Sequence, residues 1–335
     1  MKIKARQIAH DLGVSTATVS LAVNDKPGVN EATKRKILDY IEQLEREYGA
    51  KEQKDKFVKM LLYVGTNRYK ESMEQKFISD TFVEISALLQ KKGMELRMYS
   101  VNGSDDVLKA LKESCDDGTS GIIFLADDLP EKDLELLNDC YLPLVVCDNM
   151  LHEGHWDAVN MHNQRAIYSG MRHLEKCGCK DIIYVQNSED IYNFRERRKS
   201  FRRYANEEMK EGITVQMIEA GNEAVLISHH LIGCLKERSK FPDAIFAENF
   251  TVTVGVVRAL ENLKVKIPED ISVIGIDEVP GMALLPVELT CFSPPHASRA
   301  AHVVKRLFDK MEFKGTNAVE VLVGMEFVKG ESVKW

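Results

Sequence analysis

Long apolar runs are missing from this 335-residue sequence. No stretch of about 18 apolar residues occurs, so no membrane-crossing helix is expected. The opening Met1-Lys2-Ile3-Lys4 leads into a polar amphipathic segment, which gives no secretory signal and points to the cytoplasm. A disulfide framework is also absent, because the seven cysteines are odd in number and scattered from Cys115 to Cys291. Their one close pair, Cys177-Gly178-Cys179, has no further ligands at metal-binding spacing, so neither metal nor cofactor is expected. Nothing fits the phosphate-cradling patterns GxGxxG or GxxxxGK, and no GxSxG nucleophile turn occurs. These absences argue against an enzyme.

What the sequence does have is 44% apolar residues, enough for large cores, and a length that suits two or three domains. The net charge of −7 would discourage a nucleic-acid partner if it were evenly spread. It is not: Met1 to Lys36 holds seven Lys+Arg against three Asp+Glu. A basic head on an acidic body suits local phosphate contact without general stickiness to nucleic acid.

The head reads as three short helices. Ala5, Ile8, Ala9 and Leu12 share one helical face, and Gly13 can take the left-handed conformation that ends a helix. Ser15 is a good cap for a second helix over Thr16–Val23. Val19, Ala22 and Val23 are its expected inner side, and Thr16, Ala17, Ser20 and Leu21 face outward. A turn follows at Asn24–Gly28, and Asn30 caps a third helix carrying Ile37, Ile41, Leu44 and Tyr48. Two short helices joined by a tight turn and braced by a third make a helix-turn-helix unit, whose second helix enters the DNA major groove. A packing or dimerisation module of the same size is the alternative. The outward face favours DNA, since small residues permit close approach and hydroxyls can donate to phosphates. The methyls of Thr16 and Ala17 and the Leu21 side chain suit thymine methyls.

These residues also carry a resemblance. Ile8-Ala9, Leu12 through Asn24 and Val29 through Lys34 resemble the head of the lactose-repressor (LacI/GalR) family. Ile267 through Asp277, Leu289-Thr290 and Lys329 through Ser332 are similar to its sensor half. The resemblance implies that Thr16, Ala17 and Leu21 read bases and that Ser15, Thr18, Ser20 and Asn24 lie near phosphates. It implies the fold of periplasmic sugar-binding proteins for the body, with the helix His296–Phe313 returning to the first lobe and the last strand to the second.

The body's own pattern alternates strands and helices. Strands are expected at Met60–Gly65, Glu95–Val101, Gly121–Leu125 and Pro143–Cys147, and after a restart beyond Asn163 at Asp181–Val185 and Ser272–Ile276. This is parallel α/β architecture. The expected fold class is thus an all-α helix-turn-helix head followed by a periplasmic-binding-protein-like sensor of two parallel-sheet lobes. The expected boundaries are a head over 1–48, a linker over 49–58, a first lobe over 59–160 plus 291–318, and a second over 161–290 plus 319–335. A cleft between the lobes would hold a small ligand.

Candidate effector-binding residues follow. By resemblance, Arg197, four residues before Phe201, contacts sugar hydroxyls; a guanidinium offers several fixed donors. Asp277 and Asp148 each sit just past an apolar strand, at the end where ligands collect in parallel sheets. Asn249-Phe250 stands where the family has Asn-Asp, so an aromatic replaces an acceptor. His162-Asn163 stands where Asp-Asn is usual, as a pH-sensitive group or a polar linker residue. The connector Tyr48–Phe57 lacks the family's hinge pattern, which puts a minor-groove wedge in doubt.

The reading is a transcriptional regulator, a repressor, that binds a pseudo-palindromic double-stranded DNA operator as a homodimer. A small-molecule effector, a sugar or sugar derivative, would act in the cleft, and no membrane is involved. No heptad pattern follows Ser332, so a dimer is expected rather than a tetramer. The alternative is a cytoplasmic ligand-binding protein whose head has lost specific DNA binding.

Overall fold

The computed structural model describes residues 5–23, 28–41, 57–65, 72–150, 153–279, 287–313 and 317–335. They fall into two units, Met1–Lys56 and Phe57–Trp335, and each is treated by itself.

The first unit contains α1 (Ala5–Leu12), α2 (Thr16–Val23) and α3 (31–41). Ile8, Ala9, Val19, Ala22 and Ile37 form its buried centre, edged by Leu12, Val14, Tyr40 and Ile41. Helix α1 ends as the sequence predicts. Gly13 takes φ +66°, its N–H donates to His10 O (3.3 Å), and Val14 N–H donates to Ala9 O (3.0 Å). That pair of bonds satisfies two carbonyls a helix end would otherwise leave bare. Ser15 Oγ caps α2 by accepting from Thr18 N (3.0 Å), and Asn30 Oδ1 caps α3 by accepting from Thr33 N (2.7 Å). The Tyr40 hydroxyl donates to Asp11 Oδ2 (3.1 Å), tying α3 to α1. One expectation fails: Val23 is 53% exposed. It is the last residue of α2, beyond the buried Ala22. Leu44, Tyr48, the turn residues 24–27 and connector residues 49–56 lie outside the described residues; the linker expected to reach residue 58 ends earlier, because a buried strand begins at Phe57.

The second unit is built on two six-stranded sheets. The first runs β11-β5-β4-β3-β1-β2 and is parallel throughout. Its strands are β1 (Phe57–Tyr63), β2 (Glu95–Val101), β3 (Thr119–Leu125), β4 (Leu144–Cys147), β5 (Asp157–Met161) and β11 (Glu320–Val323). The second runs β12-β10-β9-β8-β6-β7, with β6 (Asp181–Gln186), β7 (Thr214–Glu219), β8 (Ala244–Ala247), β9 (Ser272–Ile276), β10 (Thr290–Ser293) and β12 (Glu326–Val328). Only β12 is antiparallel to its neighbour.

Helices cover both faces of each sheet, so the central strands are buried on both sides and read as near-continuous apolar runs. Successive residues of β1 illustrate this. Met60 and Leu62 face α4 (Ser72–Gln90) and α11 (His296–Glu312), while Leu61 and Tyr63 face α5 (Gly103–Asp116) and the short α6 (Glu131–Leu134). In the second sheet, Ile183 and Val185 face α9 (Ala224–Lys236) and α10 (Phe250–Asn262). Ile182 and Tyr184 face α7 (Asn163–Lys176) and α8 (Tyr192–Glu207).

Among the described residues the chain changes lobe three times: after β5, between β10 and α11, and between β11 and β12. The return of α11 to the first lobe and of the last strand to the second agrees with the resemblance. The expected breakpoints at 290/291 and 318/319 shift. Strand β10 (Thr290–Ser293) pairs with β9 in the second sheet, and β11 (Glu320–Val323) pairs with β5 in the first. Strand β5 itself was not read from the sequence. Its Asp157-Ala158-Val159-Asn160-Met161 is a short run interrupted by two polar residues, yet all five are buried, flanked by β4 and β11.

Candidate functional site

Both sheets end, on their carboxyl sides, around one cavity of about 220 Å³. Arg197, Asp277, Asp148 and Phe250, picked out from sequence, all line it. Asn249 does not. It is buried at the start of α10, where its Oδ1 accepts from Val252 N (3.0 Å) and satisfies a helix-terminal N–H.

Arg197 is held on α8 by three groups. Its Nε donates to Asn163 Oδ1 (3.0 Å) and its NH1 to the carbonyl of Glu248 (2.7 Å). NH1 and NH2 also face the Asp277 carboxylate at 3.3 and 3.5 Å. At 4% exposure it is buried, and it lines the cavity. The next arginine, Arg198, turns the other way. It donates to both oxygens of Glu248 (3.0 and 2.9 Å), whose second oxygen also accepts from Asn187 N (2.8 Å). Burial pushes the Glu248 carboxyl up, and Arg198 and the Asn187 N–H pull against that. This buried pair fixes the turn after β8 and hence the carbonyl that Arg197 needs.

The first lobe supplies Asp148, which pairs with Arg299 of α11; both are buried. Burial pushes the Asp148 carboxyl up while the guanidinium opposes it. Asp148 Oδ1 has no hydrogen-bond partner, although the residue lines the cavity. Asp127, just past β3, reaches across to the second lobe. Its Oδ1 accepts from Asn193 Nδ2 (3.1 Å) and Asn193 N (3.4 Å), at the start of α8. Asn193 Oδ1 in turn accepts from Asn163 Nδ2 (2.8 Å), so an unbroken chain runs from Asp127 to Arg197.

Phe77, Lys76 and Asp80 of α4 and His296 of α11 complete much of the lining. Burial, and then the Arg299 charge, hold the His296 imidazole below its ordinary 6.5. His162 lies away from this lining; it caps α7 by accepting from Arg165 N (3.4 Å), and burial lowers its pKa too.

Several of these residues escaped the sequence reading. Arg299 carried a signal, since it sits one turn before Val303 on the apolar stripe of α11, a poor place for an unpaired cation. Asp127, Asn193 and Phe77 carried none, because only the lobe arrangement brings them to the cavity.

On the head, Thr16 is exposed and Thr18 and Leu21 are partly so. The Ser15 and Thr18 hydroxyls lie 2.8 Å apart. Ala17 and Ser20 are on α2, and Asn24 lies outside the described residues.

A three-helix head joined in one chain to a two-lobed α/β unit with a central cavity defines a class of DNA-binding transcriptional regulators. The comparisons agree. Residues 5–46 match the bacterial regulatory proteins of the lacI family, and 171–333 match a periplasmic binding protein-like domain. The HTH-type transcriptional regulator RegA of Clostridium saccharobutylicum is 24% identical, over 99% of each chain. The HTH-type transcriptional repressor PurR of Vibrio parahaemolyticus is 28% identical, over 95% of this chain and 90% of its own. Among solved structures, the lac repressor dimer bound to operator and the anti-inducer ONPF superposes with a TM-score of 0.70 at 16% identity, over all of both chains. A LacI family regulator from Enterococcus faecium with bound ribose gives 0.65 at 20%, over 82% of this chain and 98% of its own. The chain belongs to the lacI family of bacterial transcriptional regulators. Among the described residues no helix is long and apolar enough to cross a membrane.

Proposed function

We propose that this protein is a repressor that binds a pseudo-palindromic operator as a homodimer and is modulated by a small polar effector in the inter-lobe cavity. The observation that carries the reading is the convergence of Arg197, Asp277, Asp148 and Phe250 on one cavity, in a chain that also holds a capped helix-turn-helix. Ser15, Thr16, Ala17, Thr18, Ser20, Leu21 and Asn24 are the proposed DNA-contacting set. Arg197, Asp277, Asp148 and Phe250 are the proposed effector contacts, with Asn249 capping the helix that Phe250 begins.

The dimer is supported by apolar side chains left on the outer strand β2 and on α4. Met98 and Tyr99 are each 45% exposed, and Val83 is more so. The lac repressor neighbour is described as a dimer on its operator. A sugar-like effector is supported by the ribose-bound neighbour and by the mixture of aromatic and hydrogen-bonding groups around the cavity. The effector can act only through unequal affinity for two lobe arrangements. The chain from Asp127 through Asn193 and Asn163 to Arg197 joins both lobes to the cavity and gives such inequality a physical route.

The test is selection of DNA from a random-duplex pool by the full-length protein at stated salt. Enrichment of an inverted repeat supports the reading. Enrichment of no motif, with or without sugars present, overturns it in favour of a ligand-binding protein without operator recognition.

A further inference from the structure

This inference rests on the reading of the cavity as the effector site and names the chemistry of what fills it. Among the described lining residues, five carboxylates face two permanent cations, Lys76 and Arg197. Neither cation is spare. Lys76 pairs with Asp80, and Arg197 is committed to Asn163, the Glu248 carbonyl and Asp277. Arg299, fully buried behind the wall, pairs with Asp148 through NH2 alone, its Nε and NH1 having no hydrogen-bond partner among the described residues, and burial keeps His296 toward its neutral form. Asp127 serves the start of α8 through Asn193.

Two acceptors remain. Glu278 is exposed at the cavity and forms no ion pair among the described residues. Asp148 Oδ1 is an unpartnered oxygen on a side chain 3% exposed, and a buried oxygen without a donor is costly. Three phenylalanines, Phe77, Phe194 and Phe250, line the same space. Guanidinium groups already lie 5.4 Å from the Phe77 ring centre and 5.7 Å from that of Phe194. Phe250 has no such cation among the described residues. Aromatic faces attract cations through their quadrupole, most strongly where water is excluded.

We propose that the cavity takes a ligand carrying a protonated amine, such as an amino sugar, and discriminates against phosphorylated and other anionic ligands. An ammonium group supplies three donors and a positive charge. It can donate to Asp148 Oδ1, balance the surplus carboxylate at Glu278 and lie against the Phe250 ring. A neutral hydroxyl meets only the first of these needs. A phosphate ester meets none, because every lining cation among the described residues already has its carboxylate.

The experiment is calorimetric titration of the full-length protein with three matched sets, at a pH where the amine is charged. Each set holds the 2-amino-2-deoxy hexose, its parent hexose and the hexose 6-phosphate, in the gluco, galacto and manno configurations. The expected result is that at least one amino sugar binds about tenfold tighter than its parent, with the phosphate weakest. Glu278→Gln, a change at an exposed side chain, is expected to shrink that ratio toward about threefold. Binding by no amino sugar, a parent or phosphate that outbinds its amino partner in every set, or a ratio unmoved by Glu278→Gln would each overturn the proposal. A neutral or phosphorylated sugar that binds in the cleft leaves the effector reading standing, and operator selection tests that reading separately.

Discussion

Asp148 and Asp277 occupy matching places in the two lobes: each follows the last residue of a strand, β4 or β9, and each has left-handed backbone, at φ +61° and +70°. Each also faces a buried arginine from a helix, Arg299 for the first and Arg197 for the second. Aspartate is one of the few residues that enters this conformation with little strain, and such positions cluster where ligands bind. Both turns therefore aim a carboxylate at the cavity from opposite sides.

The Asp148–Arg299 pair sets a stability test. Arg299→Met leaves a buried carboxylate without its cation and is expected to cost about 3–5 kcal/mol in urea unfolding of the body. Adding Asp148→Asn to it should recover part of that loss. Two losses that simply add would show that the residues do not act as a pair.

Ser15 has two separable roles, cap and proposed phosphate neighbour. Ser15→Ala removes the acceptor for Thr18 N and is expected to destabilise the head by about 1 kcal/mol. Ser15→Asp keeps a good cap and adds negative charge, so the head's thermal transition should stay close to wild type while operator affinity falls by about tenfold or more. Equal operator affinity for Ser15→Asp and wild type would remove Ser15 from the DNA-facing set.

His296 is expected to titrate below its ordinary 6.5 in NMR spectra of the folded protein. Burial disfavours its imidazolium most, followed by the Arg299 charge; Asp80 opposes them, and Lys76 and Asp277 act more weakly in opposite directions. The folded state then binds fewer protons than the unfolded state just below 6.5. This group's contribution to stability is complete above that pH and is lost as pH falls through the folded pKa. His296→Asn should flatten that part of the acid limb of the stability curve.

Two helical glycines should respond in opposite directions to alanine. A Cβ at Gly255 of α10 would stand 2.5 Å from Ile227 Cγ2 and 3.0 Å from the Ala224 carbonyl of α9. Ile227 is β-branched and buried, and the carbonyl is backbone, so neither yields readily; Gly255→Ala is expected to cost about 1–3 kcal/mol. At Gly233 of α9 a Cβ meets nothing within 4 Å, and Gly233→Ala should gain about 0.5–1 kcal/mol. Thermal unfolding of the two variants checks both signs.

The sequence by itself determined the features that depend on near neighbours in the chain. Gly13, Ser15 and Asn30 act within four residues of themselves, so the ends of α1, α2 and α3 could be read directly. The central strands were legible because burial on both faces demands continuous apolar runs, and Asp148 and Asp277 were legible because they follow such runs. Tertiary structure decided everything that depends on distant partners. Strand β5 has two polar residues among its five and becomes a strand only between β4 and β11. The lobe changes moved by a few residues because sheet pairing claims β10 and β11 for lobes the local pattern does not reveal. Asn249 points into a helix cap, Arg197 is spent on three fixed acceptors, and Arg299 reaches Asp148 across 151 residues of chain. Hydrogen bonds and ion pairs are satisfied by whatever lies within about 3 Å, and only the folded chain fixes what lies there.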